Sequence, residues 1–260
     1  MKKFDGFLLV SDIDGTLAEQ RYINPANITA VNRFVADGGQ VLLATGRSPQ
    51  SSAPVAKKLG CSAKLIANNG AVVYDTALGK VVSQKSLDCK QISLDIVEKF
   101  SVGGIFYCGE ELWLFKNNPE MTSLIESEQL TVKNSCDGVI NKVLFGGKSD
   151  VVDEVEAYLR SIPDLVGDVA RSDKVFVEIL PKGVNKGSAM TDLAAQMGIS
   201  KDKIFVAGNY YNDVDMIKQG AVTCVPSDSP DELKAMVDYV ACPCRDGAVA
   251  DFIDYLYQRY

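Results

Sequence analysis

The chain has 260 residues, 47% hydrophobic and 23% charged, a balance that excludes general disorder and allows one large domain or two modest ones. Its formal charge of −7, from 34 acidic against 27 basic residues with no Lys/Arg-rich block, argues against nucleic acid or an anionic membrane as partner. With no histidine, Ser-His-Asp and Cys-His catalysis and His-ligated zinc are excluded, which leaves carboxylates, Lys, Ser/Thr, Tyr or Cys, with or without a hard metal.

Residues 7–11 form a continuous apolar run, the mark of a buried parallel strand. After Asn24-Pro25, the spacing of Ile28, Val31, Phe34 and Val35 predicts a helix over 26–37, stopped by Gly38-Gly39. A strand over 41–44, a helix from Ser48-Pro49 to Gly60 and a strand over 64–67 follow. This β-α-β-α-β order implies an α/β fold with a doubly wound parallel sheet. The last third repeats the pattern: helix 187–198, strand 204–207, helix 212–219, strand 222–225, and helices near 230–236 and 246–257.

Residues 83–182 read differently. Runs at 105–108 and 112–115 flank a hairpin-like Gly109-Glu110-Glu111, and a second pair is formed by 142–145 and 175–179. Helical patterns lie at 91–100 and 149–160. The expectation is an inserted α+β domain, an antiparallel sheet with two helices on one face, with residues 1–82 and 183–260 forming the core. The apolar run Phe7-Leu8-Leu9-Val10 is too short for a signal peptide or a membrane span. Seven cysteines (Cys61, Cys89, Cys108, Cys136, Cys224, Cys242, Cys244) are odd in number and make no CxxC pair, which reads as reduced thiols of a cytoplasmic protein. Cys242 and Cys244 have no further Cys or His nearby and read as free loop thiols.

Four segments carry chemistry. Ser11-Asp12-Ile13-Asp14-Gly15-Thr16 follows the first buried strand, where ligands of open α/β sheets bind. Two carboxylates so close together need a cation or a proton, and Mg²⁺ suits oxygen ligands. Gly15 allows a sharp turn with amides free to face an anion. Thr45-Gly46-Arg47, before a helix, offers a hydroxyl, an open amide and a helix N-terminus to a phosphate, although a Thr-Gly turn before a helix is common by itself. Lys186 opens a helix, where a cation is unfavourable unless an anion sits there; Lys182 is the competing candidate. Asn209 to Asp213 adds oxygen donors after strand 204–207, with Asn212 also able to cap the next helix.

In this order the four segments resemble the haloacid dehalogenase superfamily, and within it the Cof-type phosphatases of subfamily IIB. Ile66-Ala67-Asn68-Asn69-Gly70-Ala71, Glu178-Ile179-Leu180-Pro181, Ser229-Pro230-Asp231-Glu232-Leu233-Lys234 and Asp246-Gly247-Ala248-Val249-Ala250 add to the likeness, which covers nearly the whole chain. The resemblance implies a Rossmann-like core with a large cap inserted before Lys186. Asp12 would take the phosphoryl group, and Asp14 would act as acid for the leaving alcohol and then as base for water. Ile13, Thr45, Gly46, Lys186 and Asn212 would hold the phosphate, with Arg47 either on the leaving group or in an ion pair, and Asn69 lining the site. Mg²⁺ would sit on Asp12, the carbonyl of Asp14 and residue 209, with Asp213 supporting the metal site from behind. The family usually carries Asp where this chain has Asn209, and the departure implies weaker Mg²⁺ binding.

The expected activity is therefore hydrolysis of a small phosphorylated metabolite, such as a sugar phosphate, by a monomer or homodimer. A sugar phosphomutase would instead need a bisphosphate activator and release little phosphate. A phospho-metabolite sensor, impaired by Asn209, would be stabilised by ligand without turnover. Trp113 and Phe115 read as packing residues, and Tyr210 and Tyr211 have no assigned role.

Overall fold

The computed structural model of the chain describes residues 2–60, 64–135 and 137–260, so Cys61 and Cys136 lie outside the described residues. Leu8–Ser11 is the centre of an eight-stranded sheet, with all four residues buried. Gln40–Ala44 and Lys64–Ala67 follow on one side, and Ile204–Ala207, Val222–Pro226 and Tyr239–Ala241 on the other, all parallel. Strand alternation divides the apolar run between two cores. Leu9, Leu43, Leu65 and Phe205 pack with helices Pro25–Ala36 and Cys244–Arg259. Leu8, Val10, Leu42 and Val206 pack with Met190 and Leu193 of helix Lys186–Gln196. Burial on both faces is why these strands read as unbroken apolar runs. Because strand order runs outward both ways from Leu8–Ser11 and these strands are parallel, the loops after Ser11, Ala44 and Ala207 converge at the carboxyl ends of the central strands, the switch point where α/β proteins bind ligands.

Local signals set the helix ends. The Asn24 side chain accepts from the Ala26 amide at 2.9 Å and Pro25 opens the first helix. Gly60, at φ +65°, ends helix Pro49–Leu59. The expected helix 212–219 is shorter: a 3₁₀ turn Tyr211–Asp213 runs into Val214–Ile217. Strands Val72–Asp75 and Lys80–Gln84 extend the sheet antiparallel, outside the sequence expectation. They are mostly exposed or half-buried, so they lack the apolar run that betrays the central strands. The boundary expected after Val82 falls inside the second of them, which carries the core sheet on to Gln84.

The inserted segment forms a six-stranded sheet in the order Val132–Lys133, Glu111–Lys116, Gly103–Cys108, Lys142–Gly146, Phe176–Pro181, Gly167–Asp173. Phe106, Val143, Phe145, Val177 and Ile179 pack on one face with helices Lys90–Phe100 and Ser149–Ser161. Phe115 stacks on Phe106 at 4.2 Å between ring centroids, and Trp113 lies 5.1 Å from it, so both serve that core. Ile105, Tyr107 and Leu144 face the other way, against helix Pro119–Glu128. That helix has a good start in Asn118-Pro119, yet only Met121 of its ten residues is buried, so no apolar stripe announced it. Strand Gly167–Asp173 was equally silent, with one buried residue. No described helix is long and apolar enough to cross a membrane.

Candidate active site

The first loop is fixed by backbone bonds. The Asp12 amide donates to the Ala207 carbonyl at 2.9 Å, and the Ile13 carbonyl accepts from Leu17 and Ala18 at 3.0 and 2.8 Å. The Ile13 side chain lies in the core, so only its backbone amide is left to serve a substrate. Gly15 takes φ +76°, and a Cβ there would fall 2.3 Å from one end atom of the Asn209 side-chain amide. Both the turn and the approach of Asn209 require glycine.

Lys186 is the first residue of its helix, behind a capping box of Asn185 and Ser188. Its side chain is 1% exposed, and its Nζ donates to Asp12 Oδ1 at 2.6 Å and Asp213 Oδ1 at 2.8 Å. Lys182 is exposed and takes no part. The helix comes this close because Gly187 has no Cβ, which would lie 2.5 Å from the backbone carbonyl of Asp215. Asp213 Oδ2 accepts from the amides of Asn209 (2.8 Å) and Tyr210 (3.1 Å), so both its oxygens are engaged in holding the lysine and the loop. Burial is the largest influence on Asp12 and pushes its carboxyl up to about 7, with Lys186 opposing and Asp213 and Asp14 adding to it. Burial alone would lower Lys186, but the two carboxylates outweigh it and hold the ammonium above the ordinary lysine value.

The outer oxygens of this cluster form a cation cradle. The end atom of the Asn209 side chain lies 2.8 Å from the Asp14 carbonyl oxygen and 3.2 Å from Asp12 Oδ2. With metal–oxygen distances of about 2.0–2.1 Å, neighbouring oxygens of an octahedral shell lie about 2.9 Å apart. The donor set is therefore one carboxylate, one backbone carbonyl and one side-chain amide, which fits a hard divalent cation. Among the described residues no group of three His, Cys, Asp or Glu could hold a metal, because two of these three oxygens are amide oxygens.

The second loop closes the other wall. Thr45 is fully buried, and its Oγ1 accepts from the Arg47 amide at 3.1 Å. Gly46 leaves room for Asn69, whose Oδ1 would sit 3.1 Å from an added Cβ. The Arg47 guanidinium binds Asp14 through both carboxylate oxygens, one at 2.7 Å, and donates to the Gln20 carbonyl at 2.8 Å. Asp14 is nonetheless 49% exposed toward the cavity. Asn212 caps no helix; its Nδ2 donates to Asn69 Oδ1 at 3.2 Å.

The roof residues were missing from the sequence reading as site residues. Lys142 and Glu178 form a buried ion pair at 2.9 Å. Lys142 also donates to the Gly46 carbonyl at 2.9 Å and lies 4.1 Å from the Tyr107 ring centroid, while Glu178 accepts from Asn69. Leu144 is opposite Glu178 across the strand pair, which puts Lys142, Leu144 and Glu178 on one sheet face, toward the core. A lone charge inside each apolar run, Lys142-Val-Leu-Phe and Val-Glu178-Ile-Leu, was the available signal. Roof and floor enclose a cavity of about 550 Å³ that reaches Asp12, Asp14, Arg47, Lys186 and Asn212.

The model of one protein family, haloacid dehalogenase-like hydrolase, matches residues 9–253, from the strand before Asp12 to the last helix. The chain belongs to that family. As a haloacid dehalogenase-like hydrolase it is 22% identical to the 5-amino-6-(5-phospho-D-ribitylamino)uracil phosphatase YitU of Bacillus subtilis, over 95% of this chain and 96% of the relative. It is 24% identical to the HMP-PP phosphatase of Serratia proteamaculans, over 95% of this chain and 94% of that one. The solved structure of a subclass IIB sugar phosphatase superposes with a TM-score of 0.82 at 21% identity, covering 96% of this chain and 99% of the other, which shows the shared fold. The chain is a phosphatase of this superfamily, acting on phosphorylated small molecules.

Proposed function

We propose that the protein is a Mg²⁺-dependent phosphatase that hydrolyses small phosphorylated metabolites of the sugar-phosphate kind through an aspartyl-phosphate on Asp12. The observation that carries this reading is Lys186, buried between Asp12 and Asp213 beside a cradle of three oxygens. An Asp12 oxygen attacks phosphorus, and the bond to the leaving oxygen breaks as Asp14 gives that oxygen a proton. Asp14 then takes a proton from water, whose oxygen attacks the same phosphorus; inorganic phosphate leaves and the Asp12 carboxylate is regenerated. In the ligand-free site Arg47 donates to both Asp14 oxygens, so contact of Asp14 with the leaving group requires Arg47 to let go. Lys186, the Thr45 hydroxyl, the Ile13 and Gly46 amides and Asn212 hold the phosphoryl oxygens. Asp12, the Asp14 carbonyl and the Asn209 side-chain oxygen would hold magnesium, which would supply the charge that lets an anionic nucleophile meet a phosphate dianion.

The segment between Gln84 and Lys182 acts as the cap that selects the leaving group. Its Lys142–Glu178 pair and Tyr107 form a roof suited to a hydroxyl-rich group. The named relatives' substrates include a phosphorylated ribityl compound, in keeping with a sugar-like leaving group. Thiols such as Cys89, Cys224 and Cys244, buried and unbridged, suit the cytoplasm.

The test is phosphate release from a panel of phosphorylated metabolites, with Mg²⁺ and with chelator, beside Asp12→Asn. Release that needs both Mg²⁺ and Asp12 is expected. No release from any compound, with folded protein and excess Mg²⁺, would turn the reading to the mutase or to the sensor.

A further inference from the structure

Resting on the magnesium reading above, we infer that Asn209 is a turnable latch: without a cation its side-chain NH₂ closes the metal position, and a cation binds only as the amide turns its oxygen inward. The same end atom of the Asn209 amide lies 2.8 Å from the Asp14 carbonyl oxygen, 3.2 Å from Asp12 Oδ2 and 3.2 Å from Thr16 Oγ1. The Asp14 carbonyl and the Asp12 carboxylate can only accept, whereas the Thr16 hydroxyl can donate or accept. As oxygen, that end atom accepts from the Thr16 hydroxyl but faces the Asp14 carbonyl and Asp12 Oδ2 with no donor toward either, an arrangement that a cation resolves. As nitrogen, it donates to both, and to the Thr16 hydroxyl as well. A half-turn about the last side-chain torsion exchanges the two, and such terminal torsions are broad and nearly two-fold.

The surroundings permit the turn. The other end atom of the amide lies over Gly15, in space that any Cβ would fill, at 2.3 Å. The backbone amide of Asn209 is anchored on Asp213, so the side chain can turn without the loop moving. An aspartate at this place could not play both parts. Its two ends are alike, and in the empty site it would set one more negative oxygen against Asp12 and the Asp14 carbonyl. An Asn209 site is therefore self-satisfied when empty and weaker toward the cation; an Asp site is strained when empty and stronger.

The experiment compares the full chain with Asn209→Asp by thermal melting in chelator and across a MgCl₂ series, without substrate. The ¹⁵N side-chain amide signal of Asn209, assigned by its loss in Asn209→Asp, is followed in the same series. Asn209→Asp is expected to melt lower in chelator and to reach half-saturation at a Mg²⁺ concentration lower by about tenfold or more. The Asn209 amide signal should shift in step with the wild-type melting curve. Equal half-saturation in both proteins, or an amide signal that stays still while Mg²⁺ raises the melting temperature, would overturn the latch and leave the phosphatase reading intact. No response to Mg²⁺ in either protein would overturn the magnesium reading, and the latch with it.

Discussion

Lys186 is the residue on which the floor of the site depends, since its ammonium is what allows Asp12 and Asp213 to share a dry space. Removing it by Lys186→Met strands two buried carboxylates. Such losses cost about 3–5 kcal/mol, so chemical denaturation should show that loss together with the loss of turnover; unchanged stability would contradict the charge assignment. Glu128, above the opposite wall, is a different case. Burial is the main cause that holds its carboxyl above the usual range, against Arg47 and the Ser51 hydroxyl, which donates to it at 2.9 Å. A carboxyl whose folded pKa is raised stabilises the fold fully below its unfolded value of 4.5, and that contribution is lost as pH rises through the folded value. Glu128→Gln keeps an acceptor for Ser51 but cannot ionise. Relative to wild type it should therefore gain melting temperature on going from about pH 4 to about pH 8, and a constant or falling difference would count against the assignment.

At the scale of elements, the apolar runs told the truth about strands buried on both faces, and the Asn-Pro and Gly signals told it about helix ends. What stayed hidden had one cause, exposure. The edge strands Val72–Asp75 and Lys80–Gln84, the cap strand Gly167–Asp173 and the helix Pro119–Glu128 bury too few residues to impose a period. The short helix Val214–Ile217 was overread for another reason: Asp213 is committed to Lys186 and to two loop amides, which keeps the preceding turn out of helical register. The contact of helix Lys186–Gln196 with this loop depends on Gly187. Gly187→Ala would push a Cβ against the Asp215 carbonyl at 2.5 Å. Overpacking of this kind costs about 1–3 kcal/mol. Stability and turnover should fall together, because the shift moves Lys186; full activity in a stable variant would refute the close-approach argument.

For the molecule as a whole, the site has two halves of unequal legibility. The floor was readable because Asp12, Asp14, Thr45, Lys186 and Asp213 follow strand ends or open helices in short runs. The roof was not, because Lys142 and Glu178 meet only through strand register in a sheet built from distant segments. The two halves are bridged by polar contacts at the rim: Arg21 donates to the Ser127 carbonyl, and Gln50 exchanges bonds of 3.2 and 2.9 Å with the backbone of Thr131. Gln50→Ala should loosen closure without harming either half. The loss of such bonds is worth about 0.5–1.5 kcal/mol, so KM should rise about two- to tenfold with kcat and melting temperature little changed; a collapse of melting temperature instead would make Gln50 a folding residue. The central claim is that Asp12 carries the phosphoryl group, and trapping it is the most direct measurement. Enzyme quenched during turnover, reduced with borohydride and digested for peptide mass spectrometry should show the reduced carboxyl at Asp12. Steady phosphate release with Asp12 unmodified, or with the label on another residue, would contradict it.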